Sequence, residues 1–306
     1  MKIEPVEFGG WRNCLRLSNE HAELILTLDV GPRIISYLVP GGKNVLKTNP
    51  EELGKSNEKV FVPRGGHRFW LSPEDERTYA PDNRPVKHEL LPPNAVRLEN
   101  PAVAPWHVKK ELTVSLAPES SAVTVEHRAI NEGSSPATVA TWGLTVMEPN
   151  GLEIIPQPPL GEHPRDLLPN RAIVLWPYTE MSDERWRWGQ RFITLRQTPH
   201  SPPAKLGLAH REKWVGYLKR NAFFLKTFSY EAGAVYPDFG CNFETFTNAQ
   251  MLEIESLSPL RTLAPGESVS HTESWHLFGS IPEPESLKEA GLAKWLEPFL
   301  GKIGIF

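Results

Sequence analysis

Two glutamates two residues apart, Glu253 and Glu255, lie in Met251-Leu-Glu-Ile-Glu-Ser-Leu257, where polar and apolar positions alternate. Along a strand successive side chains point to opposite faces, so both carboxylates share one face while Leu252 and Ile254 share the other. At a rise of roughly 3.3 Å per residue their roots lie about 7 Å apart. Carboxylates that close must be solvated, paired with cations or used to move protons. The chain continues through Leu263-Ala-Pro-Gly-Glu267, turn chemistry, into a second strand near Ser268–Phe278. Glu255 is the first candidate for a general base and Glu253 the second. The competing assignment is a pair of strand carboxylates facing water or lysines.

A second cluster runs from Arg64 through Gly65-Gly-His-Arg-Phe-Trp-Leu-Ser-Pro-Glu74. His67 follows two glycines, which permit close backbone approach, and is the candidate acid. The planar forks of Arg64 and Arg68 suit a carboxylate or phosphate; the alternative is a salt bridge to Glu74, Asp75 or Glu76. Trp70 offers a flat apolar face to a ligand ring, or anchors the loop. A third cluster, Tyr236-Pro-Asp-Phe-Gly-Cys-Asn-Phe-Glu244, places Asp238 and Glu244 either side of Cys241 just before the Glu253 strand. A hairpin would bring both acids to the same cleft, although Asp238 also suits turn capping.

Strands must position these groups. Glu23–Val30, Gly31-Pro32 and Arg33–Val39 read as strand, turn and strand, followed by Pro40-Gly-Gly-Lys43 and a short strand at Asn44–Lys47. Pro50-Glu-Glu resembles a helix start. Val60–Pro93 shows little periodicity, and so long a loop is often functional. Strands follow at Val108–Leu116, Ala122–Ile130 and Ala137–Val146, then at Ala172–Leu175, Arg191–Arg196, Lys213–Leu218, Ala222–Phe228 and Ala249–Leu257. Only the tail, about 283–298, has helical spacing, with Leu287, Leu292 and Leu296 among its apolar positions. Thirty prolines among 306 residues favour strands joined by shaped loops. These features predict one all-β domain spanning 1–306 with a short C-terminal helix.

A formal net charge of −4 argues against a nucleic-acid or anionic-membrane partner held by bulk charge. Two cysteines, Cys14 and Cys241, are too few for a disulfide framework or a zinc site and are expected to be free buried thiols. The N-terminal residues lack an apolar core of the signal-peptide kind, and no later run reaches membrane-spanning length. A soluble, cytoplasmic protein is expected. His88, His107, His127, His163 and His200 show no paired ligand spacing, and no phosphate-cradling, nucleophile-elbow or dinucleotide motif is present, so neither metal nor cofactor is expected.

The order of these elements resembles the galactose mutarotase-like, or aldose 1-epimerase-like, superfamily. Gly31-Pro-Arg-Ile-Ile-Ser-Tyr37 is similar to its N-terminal turn and second strand. Val125-Glu-His-Arg-Ala-Ile-Asn-Glu-Gly-Ser-Ser-Pro136 is similar to its mid-chain strand, and Leu263–Glu267 with Trp275-His-Leu277 to its final hairpin. Gly65–Glu74 and Phe243-Glu-Thr-Phe-Thr247 resemble an uncharacterised branch, and Arg64-Gly65-Gly66 matches a phrase of the hexose-6-phosphate epimerases. The resemblance implies a β-supersandwich and a catalytic glutamate on the late strand. It also implies a histidine on a mid-sandwich strand, yet Trp142-Gly-Leu-Thr-Val-Met147 holds none.

The expected chemistry is interconversion of sugar anomers. A base takes the proton of the anomeric hydroxyl, an acid protonates the ring oxygen, and the ring opens, rotates and recloses. Glu255, His67 and Glu253 are the catalytic candidates; Arg64, Arg68, Trp70, Glu74, Asp238 and Glu244 are the binding candidates. The partner would be a small sugar, sugar phosphate, sugar acid or glycan. Alternatives are a carbohydrate-binding protein without catalysis and a glycoside-cleaving enzyme using two carboxylates.

Overall fold

A computed structural model describes residues 1–102 and 106–305. Within them the strands form an 11-stranded and a 10-stranded sheet, with all the pairings antiparallel. The larger sheet opens with the meander Lys2–Phe8, Trp11–Ser18, Glu23–Thr27 and Arg33–Leu38. It continues through His67–Ser72, Ala137–Met147, Leu252–Leu257, Phe243–Thr247, Ala204–Leu208 and Ile173–Leu175. The second sheet places Val123–Asn131, Ser268–Phe278 and Ala222–Phe228 side by side at its centre. This is the all-β sandwich with a C-terminal helix that the sequence predicts.

The inner faces of the two sheets build the main core, including Leu17, Leu24, Phe69, Val125, Phe224, Phe243, Ile254 and Trp275. Alternation is plain in Ser268–Phe278, where Val269, His271, Glu273, Trp275 and Leu277 are buried. The outer face of the second sheet presents Leu152, Ile154, Phe223 and Leu225, and the helix Glu289–Lys302 covers them with Leu292, Ala293, Leu296 and Phe299. That helix starts six residues later than the tail pattern predicts and runs through Pro298. No helix among the described residues is long and apolar enough to cross a membrane. Cys14 and Cys241 are free and buried.

Two predicted features change. Asn44–Lys47 makes only an isolated bridge, Leu46 to Met147, rather than a strand. The aperiodic stretch Val60–Pro93 contains the strand His67–Ser72, buried at all six positions in the middle of the larger sheet. A strand covered on both faces loses the polar alternation that reveals half-exposed strands.

Candidate functional site

The register of five neighbouring strands builds a cleft on the outer face of the larger sheet. Across His67–Ser72, Ala137–Met147, Leu252–Leu257, Phe243–Thr247 and Ala204–Leu208, the residues Arg68, Leu144, Glu255, Glu244 and Gly207 stand directly opposite one another. The parallel row one step along holds Val146, Glu253, Phe246 and Lys205. On the other side Trp70 opposes Trp142. Side chains paired across an antiparallel ladder share a face, so glutamates, arginine, lysine and tryptophans converge there. The resulting cleft of about 290 Å³ is lined by Arg68, Trp70, Trp142, Lys205, Glu253 and Glu255 together with Phe61, Glu74, Tyr79 and Tyr178.

Glu255 and Glu244 are buried and directly opposed. Lys205 holds them apart: its Nζ lies 2.7 Å from Glu244 Oε2 and 3.2 Å from Glu255 Oε2. Gly207, on the same face, leaves room for Cys241 Sγ and the Trp176 ring, which a Cβ there would meet at 2.5 and 3.1 Å. The ammonium also lies 4.7 Å from the centre of the Trp142 ring and 4.6 Å from that of Trp176, a cation–π cage. Burial alone would lower the Lys205 pKa, but Glu255 and Glu244 outweigh it and raise it, keeping the side chain charged. Burial pushes both glutamates up, with Lys205 only partly offsetting it. Trp142 Nε1 donates to Glu255 Oε2 at 3.0 Å, while Glu255 Oε1 is buried without a partner. A carboxylate with one oxygen anchored, the other bare and its pKa raised can take and return a proton.

Glu253 is committed differently. Arg68 donates to its Oε1 at 2.8 Å, and the guanidinium lies 4.3 Å from the Trp70 ring centre. At the mouth, Glu74 is exposed and accepts a hydrogen bond from the Tyr79 hydroxyl at 2.5 Å. Of the residues singled out from sequence, Arg68, Trp70, Glu74, Glu253 and Glu255 line the cleft, and Glu244 lies beneath Lys205.

Three do not line it. Arg64 is buried and spent on Glu58, Asn83 and the Lys55 carbonyl, pinning its own loop. Neither arginine pairs with Glu74, Asp75 or Glu76; Asp75 instead binds Arg77. Asp238 belongs to the turn Pro237–Gly240, where it and Phe239 adopt φ of 49° and 61°. His67 precedes Arg68 in the strand and therefore faces the other way, between the sheets, rather than into the cleft.

There His67 joins a buried polar network. Its Nε2 lies 2.7 Å from His127 Nε2, and its Nδ1 lies 2.9 Å from Thr145 Oγ1. Lys226 Nζ donates to Thr145 Oγ1, to the Ile254 carbonyl and to Glu273 Oε1. One proton order satisfies the set: Thr145 donates to His67 Nδ1, His67 Nε2–H to His127 Nε2, and His127 Nδ1–H to the His271 carbonyl. On the other branch His271 Nε2–H donates to Ser256, which donates to Glu273; Trp275 Nε1 donates to Glu273 Oε2. Burial keeps all three imidazoles neutral, holding His127 and His271 down to about 3. His67, His127 and Glu273 have donor atoms within 4.8 Å of one another. Every one of those atoms already has a hydrogen-bond partner, and a lysine ammonium lies 2.6 Å from the carboxylate. The set fits a hydrogen-bonded network better than a metal centre.

Lys205 is the important residue that the sequence reading misses. In Ala204-Lys-Leu-Gly-Leu208 the apolar Ala204, Leu206 and Leu208 alternate with Lys205 and Gly207, a period that puts the lysine opposite the core. In sequence Trp142 stands out only as the residue opening a stretch without histidine.

No family model matches the chain, and no curated protein matches its sequence. Solved structures do match. A protein of Synechocystis sp. PCC 6803 is 13% identical over 90% of this chain and 99% of its own, with a TM-score of 0.58. A galactose mutarotase-like protein from Lactobacillus casei is 10% identical over 87% and 100%, with a TM-score of 0.57. A galactose mutarotase related enzyme from Lactobacillus acidophilus is 10% identical over 88% and 99%, with a TM-score of 0.52. The chain therefore carries the galactose mutarotase-like fold, the one that the order of its strands resembles.

Proposed function

We propose that the cleft binds a sugar and that Glu255 interconverts its anomers, as in aldose 1-epimerase chemistry. The observation that carries this reading is the buried Glu255 with one bare oxygen, set between Lys205 and Trp142 on the floor of an aromatic cleft. Glu255 Oε1 takes the proton of the anomeric hydroxyl. Lys205 and Trp142 Nε1 stabilise the carboxylate before transfer and orient it. Tyr79, 46% exposed, offers its ring to a pyranose, with Trp70 packed edge-on against it and Trp142 against Trp70. Protonation of the ring oxygen falls to the mouth, where the Tyr79 hydroxyl and Glu74 form a hydrogen-bonded pair. Two-carboxylate glycoside cleavage is less well supported, because Arg68 occupies Glu253.

A second reading, sugar binding without catalysis, draws on one observation: no histidine is among the described residues lining the cleft. Magnetisation exchange between α and β anomer signals separates the two. With glucose and galactose the wild type should accelerate exchange, and Glu255→Gln should lower it by roughly 10²–10⁴-fold with little change in binding. Binding without exchange would favour the second reading; absence of sugar binding would sink both.

A further inference from the structure

Every cation in the cleft is already matched to a carboxylate. Arg68 is bound to Glu253, and Lys205 to Glu244 and Glu255. Arg64, the other candidate for an anionic substituent, faces Glu58 and Asn83. The next cation outward, Lys47, is half-buried, donates to Asn49 and is attracted to both Glu148 and Glu253. The carboxylates are not all matched. Glu255 is 1% exposed and its Oε1 has no partner. Glu74 accepts from Tyr79 and, among the described residues, forms no salt bridge. Glu74, Glu244, Glu253 and Glu255 thus face Arg68 and Lys205, four carboxylates to two cations. Even with one proton shared between Glu244 and Glu255, negative charge remains in excess.

A phosphate or carboxylate on a sugar would find both cleft cations already neutralised by carboxylates and would meet the bare oxygen of Glu255. Arg68 keeps an unpartnered Nε, but an anion bound there would lie beside the Glu253 carboxylate that already neutralises the guanidinium, and taking Lys205 instead would break a buried salt bridge. An ammonium group has the opposite prospects. It supplies charge-assisted donors to Glu255 Oε1 or Glu74 among ring faces that attract cations. We propose that the ligand of this cleft is an amino sugar, a pyranose carrying a protonated amine, and that sugar phosphates and sugar acids are excluded. The inference rests on the reading of the cleft as a sugar site.

Calorimetric titration of the full chain tests it with glucosamine, galactosamine, their N-acetyl forms, glucose, galactose, glucose 6-phosphate and glucuronate, at low and at high salt. The N-acetyl sugars keep the ring and remove the charge. Amino sugars should bind about tenfold more tightly than the neutral sugars, the difference between a charge-assisted and a neutral hydrogen bond. That preference should shrink as salt rises. Glu74→Gln, at an exposed position, and Glu255→Gln should each reduce the preference. Equal affinity for charged and neutral sugars, or tighter binding of the phosphate or uronate, would overturn the amino-sugar assignment and leave the sugar site standing. Absence of binding across the panel would overturn both.

Discussion

Replacing Lys226 by methionine removes the root of the buried network while keeping much of the side-chain volume. Lys226 and Glu273 are both fully buried, 2.6 Å apart. The substitution deprives Thr145 Oγ1 and the Ile254 carbonyl of a donor and leaves Glu273 with only Ser256 and Trp275. Removing one partner of a buried salt bridge costs about 3–5 kcal/mol, mostly from the charge left behind. Glu273→Gln alone strands the ammonium instead and should cost a similar amount. In the double variant neither charge remains, and a loss of about 1–2 kcal/mol is expected from the imperfect hydrogen bonds. The coupling in this cycle should therefore exceed about 3 kcal/mol. Equilibrium urea unfolding at pH 7, followed by tryptophan fluorescence and by circular dichroism, measures all four proteins. A loss below about 1 kcal/mol for Lys226→Met, or single losses that simply add, would refute the view that this lysine and glutamate share one buried charge balance.

The histidine His210 tests the same physics away from the network. Burial lowers its pKa to about 4, although Nε2 still donates to the Trp214 carbonyl. The unfolded chain takes up this proton near pH 6.5 and the folded chain only near 4, so stability is lost as pH falls between those values. At pH 5 the loss is about 2 kcal/mol, and His210→Gln should reduce the stability difference between pH 7 and pH 5 by that amount in urea titrations. In the cleft, Trp142→Phe keeps the aromatic surface but removes the N–H that stabilises ionised Glu255. The acid limb of the pH–rate profile for anomer exchange should move up by about one unit; an unmoved limb would detach Trp142 from the base.

Much of this architecture is legible in sequence where one strand face is apolar. The common face of Glu253 and Glu255 follows from a period of two, and both do line the cleft. The same parity places His127 inward, because it falls in phase with Val123, Val125 and Ala129. It places Glu273 inward as well, beside Val269, Trp275 and Leu277. His67 was obscured for another reason. Its strand is buried on both faces and holds histidine, arginine and tryptophan, so polarity marks neither side. Arg64 and Arg68 look equally available in a linear reading. Arg64 finds Glu58 and Asn83, 6 and 19 residues away, whereas Arg68 finds Glu253, 185 residues away, a distance that only the fold closes.

The central strands of the larger sheet carry two interleaved texts. In Leu252–Leu257 the even-numbered residues face the core or its polar network, while Glu253 and Glu255 belong to the cleft. One set of positions answers to packing and the other to a ligand, with no residue shared between them. Loss or gain of a single residue within such a strand would exchange the two sets, whereas substitution at alternate positions can change the cleft and leave the backbone alone. Chemical divergence in a sandwich built this way can proceed at every second letter while the letters between them go on holding the strand in place.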